Sequence, residues 1–205
     1  MTGVRDAYER IASHFAETRH HPWPEVETFC DGCDEGGVGL DLGCGNARHA
    51  APLARVVDRV IGLDLSRALL AEARANTDDG EVDLLQGDAR SIPIADDAVD
   101  VAVYVATVHH LRTREERVRS LDELARILAP GGRALVSAWS VEHDRFDRES
   151  GFDTHLDWTL PDGETVPRFY HVYDLDEFRS ELTDSALVVD ETYVSSGNCY
   201  AEVRA

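Results

Sequence analysis

Three acidic residues, each closing an apolar run, carry the chemistry that can be read from this chain. Asp41 stands two residues ahead of a glycine turn, Gly43-Cys44-Gly45, which ends the alternating run Val38, Leu40, Leu42. Glycines there let the backbone turn tightly and approach a ligand with no Cβ in the way. A helix is expected to start near Asn46 and carry Ala50, Leu53 and Ala54 inward, offering unpaired N–H groups at its start. Asp64 ends a second strand-like run at 60–66, and Asp88 ends a third at 82–89.

The turn rules out two ligands. A dinucleotide fingerprint needs glycine at the sixth position of the loop, where this chain has Arg48. No Gly-Lys-Ser/Thr follows, so the phosphate loop of nucleotide hydrolases is absent. A carboxylate just before the turn suits a ligand with positive charge, such as the ammonium and sulfonium of S-adenosyl-L-methionine. Asp64 is then placed to accept both ribose hydroxyls and Asp88 to accept from the adenine amino group. One such Asp would read as a helix cap. Three at successive strand ends read as a cofactor site.

Basic and aromatic residues gather around that site. Val4, Tyr8, Ile11 and Phe15 share one helical face, and Pro22 and Pro24 then forbid a continuous helix. Trp23 sits between the prolines; Val26 and Phe29 resume the apolar stripe. Arg19, just before that stiffened turn, either forks onto a carboxylate or phosphate or is an ordinary neighbour of a Trp-anchored lid. The strand Val99 to Val105 runs into Thr107, His109 and His110, at the sheet edge where open α/β folds bind ligands. Adjacent His side chains cannot both point one way, so one is structural.

The remaining elements follow in order. Residues 113–128 read as a helix with Val118, Leu121, Leu124, Ala125 and Leu128 inward. Its neighbours Arg112, Arg114, Arg117 and Arg119 read as a solvated face, and form the densest basic cluster available to a phosphate. Pro130-Gly131-Gly132 stops the helix, and 133–139 is a strand ending at Trp139. Ser140 to Pro167 reads as a long polar loop. Residues 168–182 begin as an aromatic strand and become a helix near Asp174; 186–195 and 198–205 form a hairpin about Ser196-Gly197.

Composition sets the class and the solvent. The 205 residues suit one domain, and forty acids against twenty basic residues, every one Arg, leave a net charge of −20. At molar salt the Debye length is ~3 Å and self-repulsion is screened, so a high-salt cytoplasm is the expected setting. Such a surface is poor at non-specific phosphate binding. No apolar run approaches the ~20 residues of a membrane helix, and the N-terminal stretch has no signal-peptide core, so a cytoplasmic location is expected. Cys30 and Cys33 have zinc-ligand spacing, but no second pair follows; they read as thiols in a turn, and no metal site is expected. Cys44 supplies the small side chain the glycine turn needs.

Five β-α units closed by a C-terminal hairpin, with the acidic glycine turn first, resemble the α/β class I methyltransferase (Rossmann-like) fold. That resemblance implies a seven-stranded, mostly parallel sheet with a C-terminal antiparallel hairpin over 38–205, and a helix and substrate-side lid over 1–37, in a single domain. The blocks IASHFAETRHHPWPEV, DLGCGNARH, VATVHHLRTREERV, LAPGGRALVSAW and RFYHVY are similar to the tRNA wobble-uridine carboxymethyl methyltransferases. The resemblance implies esterification of the carboxylate of 5-carboxymethyluridine in the tRNA anticodon loop. It implies cofactor contacts from Asp41, Gly43, Cys44, Gly45 and Asn46, from Asp64, Leu65 and Ser66, and from Asp88, Ala89 and Val105. On the substrate side it implies Arg19, Trp23, His110, Trp139, Arg168, Tyr170 and His171. It also implies a heterodimer with a small zinc-ribbon activator that pairs with a sheet edge and masks apolar surface. Ala47 stands where the family usually has Gly, which a helix start should tolerate.

The absences suit this chemistry. Neither a Pro-Cys context for base-carbon methylation nor an Asn/Asp-Pro-Pro-aromatic motif for an exocyclic amine is present. A carboxylate acceptor, with a reference pKa of ~4, is ionised at neutral pH and needs no general base. A flipped base could stack on Trp23, Trp139 or Tyr170. Two other readings stay open: a methyltransferase for a small free carboxylic acid, and a non-catalytic cofactor-binding subunit.

Overall fold

The computed structural model describes residues 3–205. Its centre is β4 (Val99–Val105), a run apolar at nearly every position because both faces are covered. Val101, Val103 and Val105 pack with Val26 and Phe29 of α2 (Pro24–Asp31), Leu53 of α3 (Ala50–Ala54) and Ala73 of α4 (Arg67–Asn76). Ala102 and Tyr104 face the opposite layer, against Leu121, Leu124 and Ile127 of α5 (Arg114–Ile127) and Phe178 and Leu182 of α6 (Leu175–Thr183). Burying each of these large side chains contributes roughly 1.5–3 kcal/mol.

The sheet adds β1 (Val38–Leu42), β2 (Arg59–Asp64) and β3 (Val82–Gln86) on one side of β4 and β5 (Leu128–Trp139) on the other. Two C-terminal strands, β8 (Val188–Ser195) and β9 (Asn198–Arg204), complete the order β3-β2-β1-β4-β5-β9-β8. The first five strands are parallel, while β9 runs antiparallel to both neighbours. This is the expected seven-stranded sheet. Ser196 and Gly197 both have positive φ (51° and 74°), as a two-residue type I′ hairpin turn requires.

Four local expectations are corrected. The helix after the glycine turn begins at Ala50, not near Asn46, and Ala54 faces solvent while Pro52 is buried in its place. Ala47 therefore lies in the turn at φ 61°, a left-handed conformation costing a residue with a Cβ roughly 1–2 kcal/mol. Glycine would adopt that φ without the cost. Next, β5 starts at Leu128 and absorbs Pro130-Gly131-Gly132, where Gly131 has φ 85°.

The third correction is the largest. The stretch 140–167 is not a loop: β6 (Phe152–Thr159) pairs antiparallel with β7 (Thr165–Val172) as a separate two-stranded sheet. Trp158, Leu160 and Val166 of this arm pack on Ala7, Ile11 and Phe15 of α1 (Val4–Glu17). The N-terminal helix and the arm thus form one layer over the sheet's C-terminal edge.

Lastly, Arg117 is not on a solvated face. It is 3% exposed and pairs with buried Glu181 of α6, Nε donating at 3.0 Å and Nη2 at 2.5 Å. Tyr173 Oη donates to the same carboxylate at 2.8 Å. Glu181 also comes within 4.8 Å of ligand atoms on His171 and Glu177, but the Arg117 guanidinium already supplies the cation that this cluster needs.

Candidate active site

A cavity of about 340 Å³ lies across the C-terminal ends of β3, β2, β1 and β4, roofed by Tyr8 and Phe15 of α1. That volume suits a small-molecule ligand. Gly43 makes it possible. Its φ is 76°, and an added Cβ would lie 2.3 Å from Thr107 Oγ1, so no other residue fits without moving the strand end. Gly43 N and Cys44 N both donate to Leu63 O, at 2.7 and 3.0 Å, locking the turn onto β2.

Asp64 is held from two sides. Its carboxylate accepts from Gly45 N at 2.9 Å and from Ser66 N at 2.8 Å. Burial raises its pKa, and these backbone donors oppose the shift. Each oxygen keeps a lone pair for a ribose hydroxyl. Asp64→Ala is expected to remove two charge-assisted hydrogen bonds and weaken S-adenosylhomocysteine binding by roughly tenfold or more. Calorimetry checks this, and unchanged affinity would remove Asp64 from the ribose site.

Asp41 lies beneath the turn, 1% exposed, and its Oδ2 has no hydrogen-bond partner. Burial raises its pKa to about 7, with Arg48 lowering it and Asp64 raising it. An orphaned buried carboxylate is costly in a finished protein; a cationic ligand would satisfy it. The residues present therefore fit S-adenosylmethionine: Asp64 for the ribose, Asp41 for positive charge. Asp88 also lines the cavity but is committed to Arg90, accepting from Nε at 3.0 Å and Nη2 at 2.7 Å, and the Arg90 bond lowers its pKa. It offers adenine a lone pair on a neutralised carboxylate.

Of the residues expected at the cofactor, Gly43, Cys44, Gly45, Asn46, Leu65, Ser66, Ala89 and Val105 line the cavity with Asp64 and Asp88, whereas Asp41 lies beneath the turn and outside the lining. The Asn46 side chain is spent elsewhere, donating to Arg19 O at 2.8 Å and so pinning the end of α1 to the turn. Arg48, His49 and Thr107, none of them assigned to the cofactor from the sequence, also line the cavity.

The two histidines separate cleanly. His109 is 1% exposed and accepts from Trp139 N through Nδ1 at 3.1 Å, which makes it structural. His110 lines the cavity, with Nδ1 2.9 Å from Phe169 O and Nε2 2.8 Å from Tyr8 Oη. A carbonyl can only accept, so Nδ1 carries the proton and Nε2 accepts from Tyr8. Burial, aided by Arg168 and opposed by the Phe169 carbonyl, lowers the His110 pKa to about 4. A neutral imidazole with its lone pair already engaged positions Tyr8 and has nothing free to take a substrate proton.

Strand alternation splits the RFYHVY block. Arg168 and Tyr170 share one face of β7, and His171 lies on the other. Arg168 is 8% exposed, and its Nε has no partner. Its guanidinium lies 4.8 Å from the Trp158 ring centroid, 5.2 Å from Tyr170 and 5.9 Å from Tyr8, with Nη1 donating to Tyr8 Oη at 3.4 Å. No carboxylate of the described residues pairs with it. His171 instead sits against α6, 2.7 Å from Asp153 and 3.2 Å from Glu177, outside the cavity. Arg19 reaches the same Trp158 ring of the arm at 5.4 Å and the Phe15 ring of α1 at 5.7 Å.

The expected stacking platforms are filled. Tyr170 is 3% exposed, and Trp139 already stacks on both Tyr170 (5.0 Å) and His143 (5.1 Å). Trp23 caps α2 and packs near His49 and Tyr200, under Arg48, outside the cavity lining. Cys30 and Cys33 are free thiols at the end of α2, and burial raises the Cys30 pKa to about 12.

A family described as a methyltransferase domain matches residues 40–136, the part that builds this cavity. The sheet order, the glycine turn and Asp64 make the chain a class I S-adenosylmethionine-dependent methyltransferase. The Schizosaccharomyces pombe tRNA (carboxymethyluridine(34)-5-O)-methyltransferase is 31% identical over 161 residues, 77% of this chain and 68% of that protein. The mouse tRNA (carboxymethyluridine(34)-5-O)-methyltransferase ALKBH8 is 35% identical over 149 residues, 73% of this chain but 22% of the mouse protein. The chain thus spans about a fifth of that longer relative. It belongs to the family of the tRNA (carboxymethyluridine(34)-5-O)-methyltransferases. Among solved structures, the protein in complex with the Haloferax volcanii Trm112 methyltransferase activator has the same fold, with a TM-score of 0.75 at 21% identity over 99% of this chain and 97% of that one.

Proposed function

We propose that this chain is the catalytic subunit of a tRNA methyltransferase. It esterifies the carboxylate of 5-carboxymethyluridine at the anticodon wobble position, in a cytoplasm of high salt, and works with a small zinc-ribbon activator. The observation that carries this reading is Arg168: a buried guanidinium, enclosed by aromatic rings and left without a carboxylate in a chain that has forty acidic residues. It stands beside Tyr8 and His110, which line the cofactor cavity.

When bound, S-adenosylmethionine supplies a methyl group on a positively charged sulfur. An ionised carboxylate attacks without a base, in keeping with a His110 whose lone pair is engaged. The work left to this chain is alignment. Arg168 forks onto the acceptor carboxylate, and Arg19, across Trp158, holds a neighbouring phosphate. Proximity and orientation of this kind lower a barrier by up to ~7–11 kcal/mol. Tyr8 and Phe15 exclude water above the reacting atoms.

In this reading the activator pairs with the free edge of β3, one of the two outer strands of the sheet. Leu65, 37% exposed, lies at its corner, where Gln86 Nε2 bonds Leu65 O at 3.1 Å. The relative solved with an activator supports a partner of this kind. Mass spectrometry of tRNA nucleosides after incubation with labelled cofactor and activator tests the whole reading at molar KCl. Label in the methyl ester of 5-carboxymethyluridine is the expected result. Label in small acids with none in tRNA would overturn it, as would full activity after dialysis to low salt for the high-salt setting.

A further inference from the structure

The cavity crosses the strand ends in the order β3, β2, β1, β4. With Asp64 at the ribose, the loop after β1 meets the amino-acid end of the cofactor. That loop carries two groups without a protein partner, above Asp41 of β1. Arg48 lines the cavity, its guanidinium 5.0 Å from the Trp23 ring centroid, and no carboxylate of the described residues pairs with it. By contrast Arg90, Arg117 and Arg126 are each held by carboxylates. The His49 side chain, 4% exposed, lines the same wall, and its Nε2 has no partner.

Stacking on an indole holds a guanidinium by its face and leaves its N–H edge free for a planar anion. Burial and the nearby Arg19 lower the Arg48 pKa to about 10, with Asp41 only partly offsetting them, so the guanidinium stays cationic at neutral pH. His49, lowered to about 3 by burial and by Arg48, stays neutral and keeps one ring N–H. The half-buried Arg48 edge and the buried His49 ring are thus free to meet a bound anion.

We propose that Arg48, with His49 beside it, receives the α-carboxylate of the cofactor. Asp41 and Arg48 then form a separated pair of opposite charges that recognises the methionine end as a zwitterion. Arg48 thereby acts in cofactor binding, and Arg19 and Arg168 remain for the acceptor side. The site selects cofactors that keep the amino-acid carboxylate, whatever the methyl acceptor is.

Calorimetry without tRNA tests this independently of the acceptor, using three probes: S-adenosylhomocysteine, its decarboxylated amine analogue, and 5′-methylthioadenosine, which lacks the whole amino-acid end. The wild-type chain is expected to bind S-adenosylhomocysteine roughly tenfold or more tighter than the decarboxylated amine, the scale of a charge-assisted pair. Arg48→Gln should lose about that factor for S-adenosylhomocysteine alone and bind the other two within about threefold of wild type. Unchanged S-adenosylhomocysteine affinity overturns the proposal, and a raised KM for tRNA beside it would assign Arg48 to RNA phosphate. If Arg48→Gln fails to fold, Arg48→Lys carries the test. Equal losses across all three probes in the variant that folds also overturn it.

Discussion

Arg168→Gln is expected to lower methyl transfer by roughly a hundredfold or more, the scale of removing one fixed donor from a reacting oxygen. Affinity for S-adenosylhomocysteine should stay within about threefold, because Arg168 does not line the cofactor cavity. Stability supplies the second half of the argument. A buried charge without a counter-ion costs free energy in the folded state, and Arg168 has no carboxylate to offset it. The Tm of Arg168→Gln is therefore expected to be unchanged or higher. A residue kept for packing would show the reverse, a lower Tm with near-normal turnover, and that outcome would remove Arg168 from the acceptor site. Arg168→Lys separates charge from geometry, since lysine keeps the cation and loses the fork. It should recover only part of the rate. Steady-state kinetics on modified tRNA at fixed salt, with a thermal melt of each variant, reads both effects.

Much of this site was legible before the fold. The alternation Val38, Leu40, Leu42 and the apolar run Val99 to Val105 mark strands, and two of the three strand-end acids, Asp64 and Asp88, line the cavity, while Asp41 lies beneath it. What was missed has physical causes. Phe152, Leu156 and Trp158 do alternate with Asp153, His155 and Asp157, a strand signal. In a chain whose whole surface is acidic, that polar half reads as loop. Arg117 pairs with a residue sixty-four positions away, a distance no helical pattern reports. Ala47 looked harmless because the turn was taken for a helix start, and only its φ of 61° shows why glycine suits the position. His171 was grouped with Arg168 and Tyr170 by adjacency, whereas a strand sends neighbours to opposite faces. Arg48 was used to exclude one ligand and not asked what it might hold; its lack of a partner is visible only in three dimensions.

Asp41 should make cofactor binding depend on pH in a direction opposite to the stability of the free protein. Burial raises its pKa from 3.8 to about 7. Between those values the free folded chain holds a proton that the unfolded chain has released, so Asp41 makes the free protein less stable as pH rises from about 4 to 7. The cationic cofactor needs the ionised form. At pH 6, one unit below that pKa, about nine-tenths of Asp41 is protonated, and at pH 8 about nine-tenths is ionised. Affinity for S-adenosylmethionine is therefore expected to rise about tenfold from pH 6 to pH 8, and its stabilisation of the protein to rise with it. 5′-Methylthioadenosine, which carries neither sulfonium nor ammonium, should bind with nearly constant affinity over the same range. Asp41→Asn fixes the site neutral. It should flatten the profile and, at pH 8, weaken S-adenosylmethionine by about thirtyfold or more, the cost of leaving a buried charge unpaired. A slope that persists in Asp41→Asn, or that appears equally with 5′-methylthioadenosine, would assign the titration to another group and leave Asp41 a buried acid with no part in binding.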